Sequence, residues 1–269
     1  MTKIQLGQNT EAEVIRAIEF NMFGHKSYFA RHLSTMEVID KPDMLLIDSR
    51  LPSDTFNYVC RANFPESEVD SRIDFALNYF QQRQLPIAWW IGPNSQPANL
   101  AEHLEKHGLK RVEQAAGMAL DLNLLSENDL LFKDLNIRKA TKLEHLEHYA
   151  HIIAACWNPP DPSVIKFYQQ AAAIAFDSES PVLFYIGYLD NEPIATSELF
   201  LDAGVAGIYG VVTLEKYRKR GLGTAMTLTA LCDAKKQGYQ TATLQASEDG
   251  KNLYSRLGFK EYGHFYIYQ

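Results

Sequence analysis

The sequence lacks the features of membrane-spanning, disulfide-stabilised and nucleic-acid-binding proteins. No apolar run approaches the ~20 residues that a helix needs to cross a bilayer. The chain has only three cysteines, and Cys60, Cys156 and Cys232 lie far apart, so we expect buried thiols rather than a disulfide framework or a metal knuckle. The formal net charge of −7 disfavours contact with the phosphates of nucleic acid or of anionic lipid. We therefore expect neither a nucleic-acid partner nor a membrane partner.

The composition is otherwise that of an ordinary globular protein. Hydrophobic residues make up 46% of the 269 positions and charged residues 22%, which suits one large domain or two smaller ones. Residues 1–5 carry no apolar segment of the kind found in signal peptides, so we expect a cytoplasmic location. The oligomeric state is not readable from the sequence.

The most informative segment is RKRGLG at positions 218–223. It follows a strand-like run at 205–213 and opens an apolar helix predicted over 221–237. The first turn of a helix carries unpaired N–H groups and partial positive charge, and glycines let an anion approach them. Three consecutive basic residues add cationic charge at the same place. The segment therefore predicts a binding site for the diphosphate of a phosphorylated cofactor.

A second block follows about thirty residues later and reads SEDGKNLYSRLGF over residues 247–259. A strand predicted at 241–246 precedes it. Together the two blocks resemble the acyl-CoA-binding half of the GNAT N-acetyltransferases. In that family an Arg/Gln-x-x-Gly-x-Gly/Ala turn wraps the CoA diphosphate, and a later short helix ends in a Leu-Tyr-x-x-Leu-Gly-Phe-like signature. The resemblance covers residues 136–269.

The resemblance implies an α/β (α+β) class and a GNAT fold, in which helices flank a mixed central sheet. The elements predicted in 136–269 run strand, helix, helix, three strands, helix, strand, helix, strand, which agrees with that fold. The first two helices are predicted over 143–156 and 163–176, separated by a proline-rich break, with Ser163 as the N-cap of the second.

Residues 1–130 show a weaker repeat of the same pattern. Strands are predicted at 55–62, 86–91 and 117–122, with helices at 68–84 and 97–107. We interpret this part as a degenerate GNAT-like domain, followed by an acyl-CoA-binding GNAT domain at 136–269, so that the chain has two GNAT-like halves. An unrelated α/β domain is the alternative for the N-terminal part.

The residues at the start of the helix predicted at 68–84 explain why we expect no cofactor binding in the N-terminal half. The helix after its first strand opens with Glu66, Glu68 and Asp70 and has no glycine, so its N-terminus would repel a diphosphate. Aligning the Gly-Leu-Lys of residues 108–110 with the Gly-Phe-Lys of residues 258–260 places Leu104 opposite Tyr254.

The resemblance also implies which residues contact the cofactor, acetyl-CoA or another acyl-CoA acting as co-substrate. The glycine turn supplies backbone N–H groups and positive charge for the diphosphate, and the preceding strand supplies backbone partners for the pantetheine amides. The family often has an asparagine seven residues before the signature tyrosine, where this chain has Ser247. The predicted cofactor-binding residues are Val211, Val212, Thr213, Arg218, Lys219, Arg220, Gly221, Leu222, Gly223, Thr224 and Asn252.

Two residues are candidates for the chemistry. Tyr254 lies where GNAT enzymes often keep a tyrosine that protonates the leaving thiolate, and the alternative is a packing aromatic. Glu198 is the only acidic residue inside the strand predicted at 194–201, and we consider it as the base that deprotonates the amine; the alternative is an exposed strand residue. His145, His148 and His151 share a helical face, but neighbouring glutamates indicate a solvated face, and we expect no metal.

The predicted function is N-acetyl transfer from acetyl-CoA to a primary amine on a small molecule or peptide, by direct attack in a ternary complex. No cysteine, serine or lysine stands out as an activated nucleophile, which agrees with a mechanism without a covalent enzyme intermediate. The alternative is a CoA-binding sensor or scaffold without turnover. The acceptor and the acyl chain length are not legible in the sequence.

Overall fold

The computed structural model describes residues 3–125 and 135–269. The strands are β1 (Glu37–Lys41), β2 (Met44–Asp48), β3 (Tyr58–Cys60), β4 (Ala88–Ile91), β5 (Arg111–Asp121), β6 (Asn136–Lys139), β7 (Val182–Leu189), β8 (Glu192–Asp202), β9 (Val205–Thr213), β10 (Thr241–Ser247) and β11 (Lys260–Tyr268). The α-helices are α1 (Glu11–His32), α2 (Val69–Gln81), α3 (Leu100–Lys106), α4 (Leu143–Ala154), α5 (Pro162–Ala175), α6 (Leu222–Lys236) and α7 (Glu248–Arg256).

All of these strands join one mixed sheet in the order β1-β2-β3-β4-β11-β5-β10-β9-β8-β7-β6. Counted outward from the contact between β11 and β5, the five strands on one side correspond to five on the other, and β6 at the far edge has no counterpart. Two pairs are parallel, β3 with β4 and β9 with β10, and they occupy matching places on the two sides. Helices cover both faces of the sheet. The predicted fold class is therefore confirmed.

The centre of the sheet is built by an exchange of strands between the two parts of the chain. Strand β5 lies between β10 and β11, and β11 lies between β4 and β5. A domain boundary near residue 130 therefore separates two parts of the chain whose strands pair with each other at the centre of one sheet. The boundary that we predict, between 130 and 136, lies outside the described residues.

Helix α1 belongs to a region, residues 1–54, for which we predict no elements. Its start is specified locally by a capping box, because Thr10 accepts from the backbone of Glu13 while the Glu13 carboxylate accepts from the Thr10 N–H. The helix crosses the middle of the sheet and packs on β8 and β9 of the C-terminal part as well as on β1, β5 and β11. It therefore brings N-terminal side chains into the C-terminal half.

Several details of the sequence interpretation are wrong, and among them the strand predicted at 117–122 is part of the longer β5, which begins at Arg111. The N-cap of α5 is Asp161, whose carboxylate accepts from the N–H of Ser163 at 2.8 Å, and proline occupies the first turn. Cys60 and Cys232 are buried as expected, but Cys156 is exposed after the end of α4. The strand predicted at 55–62 is short, since only Tyr58–Cys60 pairs with its neighbours.

The two faces of the C-terminal half carry different helices. Helix α6 packs on the apolar side chains of β8, β9 and β10 on one face, and α7 contributes partly buried residues to the same cluster. Helices α4 and α5, with Phe29 of α1, cover the other face. A residue on a C-terminal strand therefore faces either α6 and α7 or α1, α4 and α5.

Candidate active site

The glycine turn leaves the N-terminus of α6 open. Gly221 is the N-cap residue with φ +77°, a left-handed conformation that favours glycine. No side chain caps this end, and its first turn contains no acidic residue. The turn itself is exposed. The first N–H groups of α6 and the positive end of its dipole are therefore available to an anion.

Strands β9 and β10 separate next to this turn. Their parallel pairing consists of Ala206 with Ala242 and Gly207 with Thr243, and it goes no further. Opposite β8, strand β9 carries a bulge, in which Gly210 has φ +53°. Beyond Gly207, the edge of β9 that faces β10 is left without a strand partner in the described sheet.

The predicted cofactor residues of β9 lie along that edge. Val211 packs toward α6 and Val212 toward the opposite face, and both are half-buried. The Thr213 carbonyl accepts from Nε of Arg218 at 3.1 Å, which ties the basic turn to the end of the strand. Lys219 has φ +61°. Arg218, Lys219 and Arg220 are exposed and form no salt bridge with any described residue.

Helix α7 lies against the start of α6. A Cβ atom added to Gly223 would stand 3.2 Å from Cδ1 of Leu253, so the glycine allows a close approach of the two helices. Ser247, which departs from the family pattern, caps α7 by accepting from the N–H of Gly250 at 3.3 Å. Asn252 is exposed, and Thr224 is half-buried in the first turn of α6.

Tyr254 of α7 is partly buried on the same face as α6. Its ring makes an edge contact with Phe259, at 5.8 Å between centroids. Burial raises the pKa of Tyr254 to about 12, so the phenol keeps its proton at neutral pH. No described residue hydrogen-bonds its hydroxyl.

Glu198 is buried on the other face, with 2% of its surface exposed, so the alternative of an exposed strand residue is wrong. One carboxylate oxygen lies 2.8 Å from Nε2 of His25 in α1. The other accepts from the hydroxyl of Tyr149 in α4 at 3.0 Å. The buried charge is therefore held by partners from two helices, as buried carboxylates require.

Aromatic side chains surround this carboxylate. The His25 ring stacks on Tyr209, with centroids 3.7 Å apart and an angle of 4° between the planes. Burial raises the pKa values of Tyr149, Tyr168 and Tyr209, and the charge of Glu198 adds to the rise. These phenols therefore remain protonated hydrogen-bond donors at neutral pH.

The structure does not bring the two candidate catalytic residues into contact. Tyr254 lies with α6 and α7, whereas Glu198 faces α1 and α4. The two residues lie on opposite sides of the sheet, in which β9 and β10 are paired only at Ala206–Ala242 and Gly207–Thr243. Sequence reasoning missed His25 and Tyr149, because each reaches Glu198 from a helix distant in the chain.

The histidines of α4 have separate partners. Nδ1 of His145 accepts from the backbone N–H of Thr141 at 3.3 Å. Nδ1 of His148 is 3.0 Å from the hydroxyl of Tyr188, and Nδ1 of His151 is 2.7 Å from the carbonyl of Glu147. Among the described residues no group of three metal-binding side chains occurs. None of the helices within 3–125 and 135–269 has the length and apolarity to span a bilayer.

Comparison with known proteins decides the family. Residues 143–259 match the model of the acetyltransferase (GNAT) family. This part of the chain is a GNAT domain. The match includes the open N-terminus of α6, Glu198 and Tyr254. The model is that of an acetyltransferase family, and the match of this domain supports a transferase.

Solved structures share the fold over nearly the whole chain. A GCN5-related N-acetyltransferase from Kribbella flavida has a TM-score of 0.68 at 18% identity, with 94% of each chain covered. One from Sphaerobacter thermophilus has a TM-score of 0.63 at 14% identity, covering 97% of this chain and 93% of its own. A tandem GNAT protein from the clavulanic acid biosynthesis pathway has a TM-score of 0.62 at 10% identity, covering 99% and 96%. No curated protein matches the sequence.

Proposed function

We propose that the protein transfers the acetyl group of acetyl-CoA to a primary amine, by direct attack of the amine within a ternary complex. One observation carries this proposal: an uncapped helix N-terminus with a glycine N-cap and three basic residues lies where two parallel strands separate. The GNAT family match supports acetyl transfer as the reaction class.

The start of α6 suits a diphosphate better than the starts of two other helices in the chain. In α1 the N-terminus is already occupied by the capping box of Thr10 and Glu13. At the start of α2 the residues are acidic, and Asp70 there binds Nδ1 of His103 at 2.7 Å. The acidic side chains at this helix start would repel an anion. The α6 turn instead offers donors, positive charge and glycine Cα atoms.

The separated edge of β9 supports a binding mode for the pantetheine arm. Backbone groups of Val211, Val212 and Thr213 would pair with its amides in the manner of an added strand. We propose that Thr224 in the first turn of α6 and Asn252 on α7 also contact the cofactor. When bound, acetyl-CoA supplies the activated thioester.

Tyr254 supports the release step as a proton donor. Its partly buried phenol is protonated at neutral pH, and α7 holds it beside the start of α6. We assign it to protonate the departing thiolate of CoA.

Glu198 supports the proton-accepting side of the reaction. Its carboxylate lies on the opposite face, at the register position paired with Tyr209 directly before the bulge. An amine approaching from the side of α1, α4 and α5 would meet this cluster while the cofactor enters past α6 and α7. We assign Glu198 to the removal of the amine proton.

We further propose that the N-terminal half is a degenerate copy. Counting strands outward from the contact between β11 and β5 makes β2 and β3 the counterparts of β8 and β9. Leu45, paired with Cys60, then takes the place of Glu198, paired with Tyr209. Directly after β3 comes Arg61, with φ +57°, at the position that corresponds to Gly210 of β9.

These differences support a single cofactor site. The side chain of Arg61 donates to the carbonyl of Lys41. This position therefore lacks the glycine that β9 has in its bulge. Beyond Arg61, the backbone of Gln96 donates to the carbonyl of Ala62 and accepts from the N–H of Phe64. The chain segments that follow β3 and β4 are therefore joined by hydrogen bonds, whereas β9 and β10 separate. The N-terminal half would then serve as a scaffold.

The test is to incubate the purified protein with acetyl-CoA and a panel of primary amines and to measure free CoA thiol together with acetylated amine. The proposal expects thiol release that depends on the amine, with equal amounts of the two products. Acetyl-CoA binding without turnover of any amine would instead indicate a CoA-binding module, and absence of binding would refute the cofactor assignment as well.

A further inference from the structure

We propose that His25, a residue of the N-terminal half, is the group that accepts the proton of the attacking amine, and that Glu198 positions its ring. This role rests on the proposed function and reassigns one step of it: the carboxylate becomes the positioning residue and the imidazole becomes the base.

The exposure of the two side chains favours the histidine. The Glu198 side chain is 3% exposed, whereas the His25 side chain is 23% exposed. Both Glu198 oxygens are already occupied, one by His25 and the other by the hydroxyl of Tyr149. A buried carboxylate with both oxygens engaged has little access to an incoming amine, whereas the imidazole side chain is partly exposed.

The ring is also held in one orientation. Nε2 of His25 points at Glu198, so the carboxylate favours the tautomer in which Nε2 carries the hydrogen and Nδ1 keeps its lone pair. Tyr209 stacks on the ring, and Phe200 contacts it edge-on at 5.5 Å between centroids. No described residue hydrogen-bonds Nδ1. A carboxylate that fixes the tautomer and stabilises the imidazolium is the arrangement that makes a histidine an effective base.

The position of the ring along β9 places it beside the expected reaction site. Tyr209 immediately precedes Gly210, the left-handed residue of the bulge, where β9 has already parted from β10. The Tyr209 hydroxyl donates to Asn21 at 2.7 Å, one helical turn before His25 on α1. Asn21 in turn donates to the carbonyl of Asp202 at 3.0 Å. Helix α1 is thus anchored to the same strands that form the opening.

The proposed reaction moves the acetyl group from the sulfur of CoA to the amine nitrogen. The amine nitrogen forms its bond to the acetyl carbon and the carbon–sulfur bond breaks. Before this attack, the ammonium form of the amine gives one proton to Nδ1 of His25, and the resulting imidazolium is stabilised by the Glu198 carboxylate. On forming the amide, the nitrogen loses its second proton to solvent. The sulfur takes a proton from the hydroxyl of Tyr254. Both residues then exchange protons with solvent, which leaves the amide, CoA thiol and an unchanged enzyme.

The test uses the full chain with His25→Gln, Glu198→Gln and the control His32→Gln. Glutamine at 25 can still donate to Glu198 but cannot accept a proton. His32 lies on the same helix, is exposed, and binds the Tyr28 carbonyl through Nδ1 at 2.7 Å. Turnover is measured with an alkyl amine, which is protonated at neutral pH, and with hydroxylamine, which is largely unprotonated. Acetyl-CoA affinity is measured separately by calorimetry.

We expect His25→Gln to lower kcat for the alkyl amine by ~10²-fold or more, with a much smaller loss for hydroxylamine and unchanged acetyl-CoA affinity. His32→Gln should match the wild type. Equal turnover of His25→Gln and wild type, or an equal loss for both acceptors, would overturn the base role. If the wild type itself turns over no amine, the proposed function fails, and that result is visible before any variant is made.

A nuclear magnetic resonance measurement of the His25 ring nitrogens gives a readout without turnover. We expect a protonated Nε2 and an unprotonated Nδ1 at neutral pH in the wild type, and loss of this preference in Glu198→Gln. The opposite tautomer, or an imidazolium in the resting protein, would also overturn the proposal.

Discussion

A negative charge placed at the open N-terminus of α6 should raise the stability of the cofactor-free protein and lower its affinity for acetyl-CoA. Replacing Gly223 by glutamate places a carboxylate in the first turn of the helix. Without cofactor, the helix dipole and the loss of a glycine should stabilise the protein by about 1 kcal/mol. The only close approach of the new Cβ is 3.2 Å to Cδ1 of Leu253, a flexible side-chain end.

In the presence of acetyl-CoA we expect the variant to be less stable than the wild type, because it loses the stabilisation that cofactor binding provides. Two unit charges about 4 Å apart repel by about 4 kcal/mol at an effective dielectric constant of 20, which lowers affinity by roughly 10³-fold. At a hundredfold excess over its dissociation constant, acetyl-CoA stabilises the wild type by ~2.7 kcal/mol. For a chain of this size that corresponds to a rise in melting temperature of roughly 5–11 °C. The variant should show almost none of this rise.

The assay is a thermal melt with and without acetyl-CoA, with Gly223→Gln as the matched control. Glutamine has the same bulk as glutamate and no charge, so it separates steric exclusion from electrostatic repulsion. We expect Gly223→Gln to retain part of the acetyl-CoA shift. If Gly223→Glu shows the full wild-type shift, the diphosphate does not bind at this helix end.

Three further outcomes follow from the structure. Tyr254→Phe should lower kcat by ~10²-fold with little change in acetyl-CoA affinity; unchanged turnover in a steady-state assay would reduce the residue to packing. Asn21→Ala removes the amide that donates to the carbonyls of Phe200, Asp202 and Val205 and should cost about 3 kcal/mol, a fall of roughly 6–12 °C in melting temperature; a fall under about 2 °C would contradict this anchoring role. Burial lowers the pKa of Lys26 to about 7, below the ~10.4 of an unfolded lysine. Between these values the unfolded chain binds a proton that the folded protein lacks, so stability should rise with pH. Melts at several pH values should show a flatter rise for Lys26→Met, and equal slopes would contradict the burial of the amine.

The sequence was sufficient for the C-terminal half because its signals are local. A glycine turn, a helix end and the alternation of strands depend on neighbours in the chain, and the predicted order of elements matches the structure. The prediction of Ser163 as the N-cap is wrong because Pro162 occupies the first turn of the helix, so that the N-cap is Asp161. A proline in the sequence can either precede a helix or stand in its first turn.

The remaining features depend on contacts between distant parts of the chain. Strand β11 pairs with β4 and β5, and nothing in residues 260–268 indicates that partners come from the N-terminal half. His25 meets Glu198 across 173 positions of sequence. The capping box at Thr10 could have revealed α1, but only the folded sheet shows which strands the helix crosses.

The most direct test of the cofactor site is a crystal structure of the protein with CoA. We predict the diphosphate against the backbone N–H groups of residues 221–223, with the pantetheine arm along β9 between the separated ends of β9 and β10. The thiol end should lie between Tyr254 on one face and the His25–Glu198 pair on the other. CoA bound elsewhere, such as between β3 and β4 of the N-terminal half, would contradict both the single-site proposal and the catalytic assignments built on it.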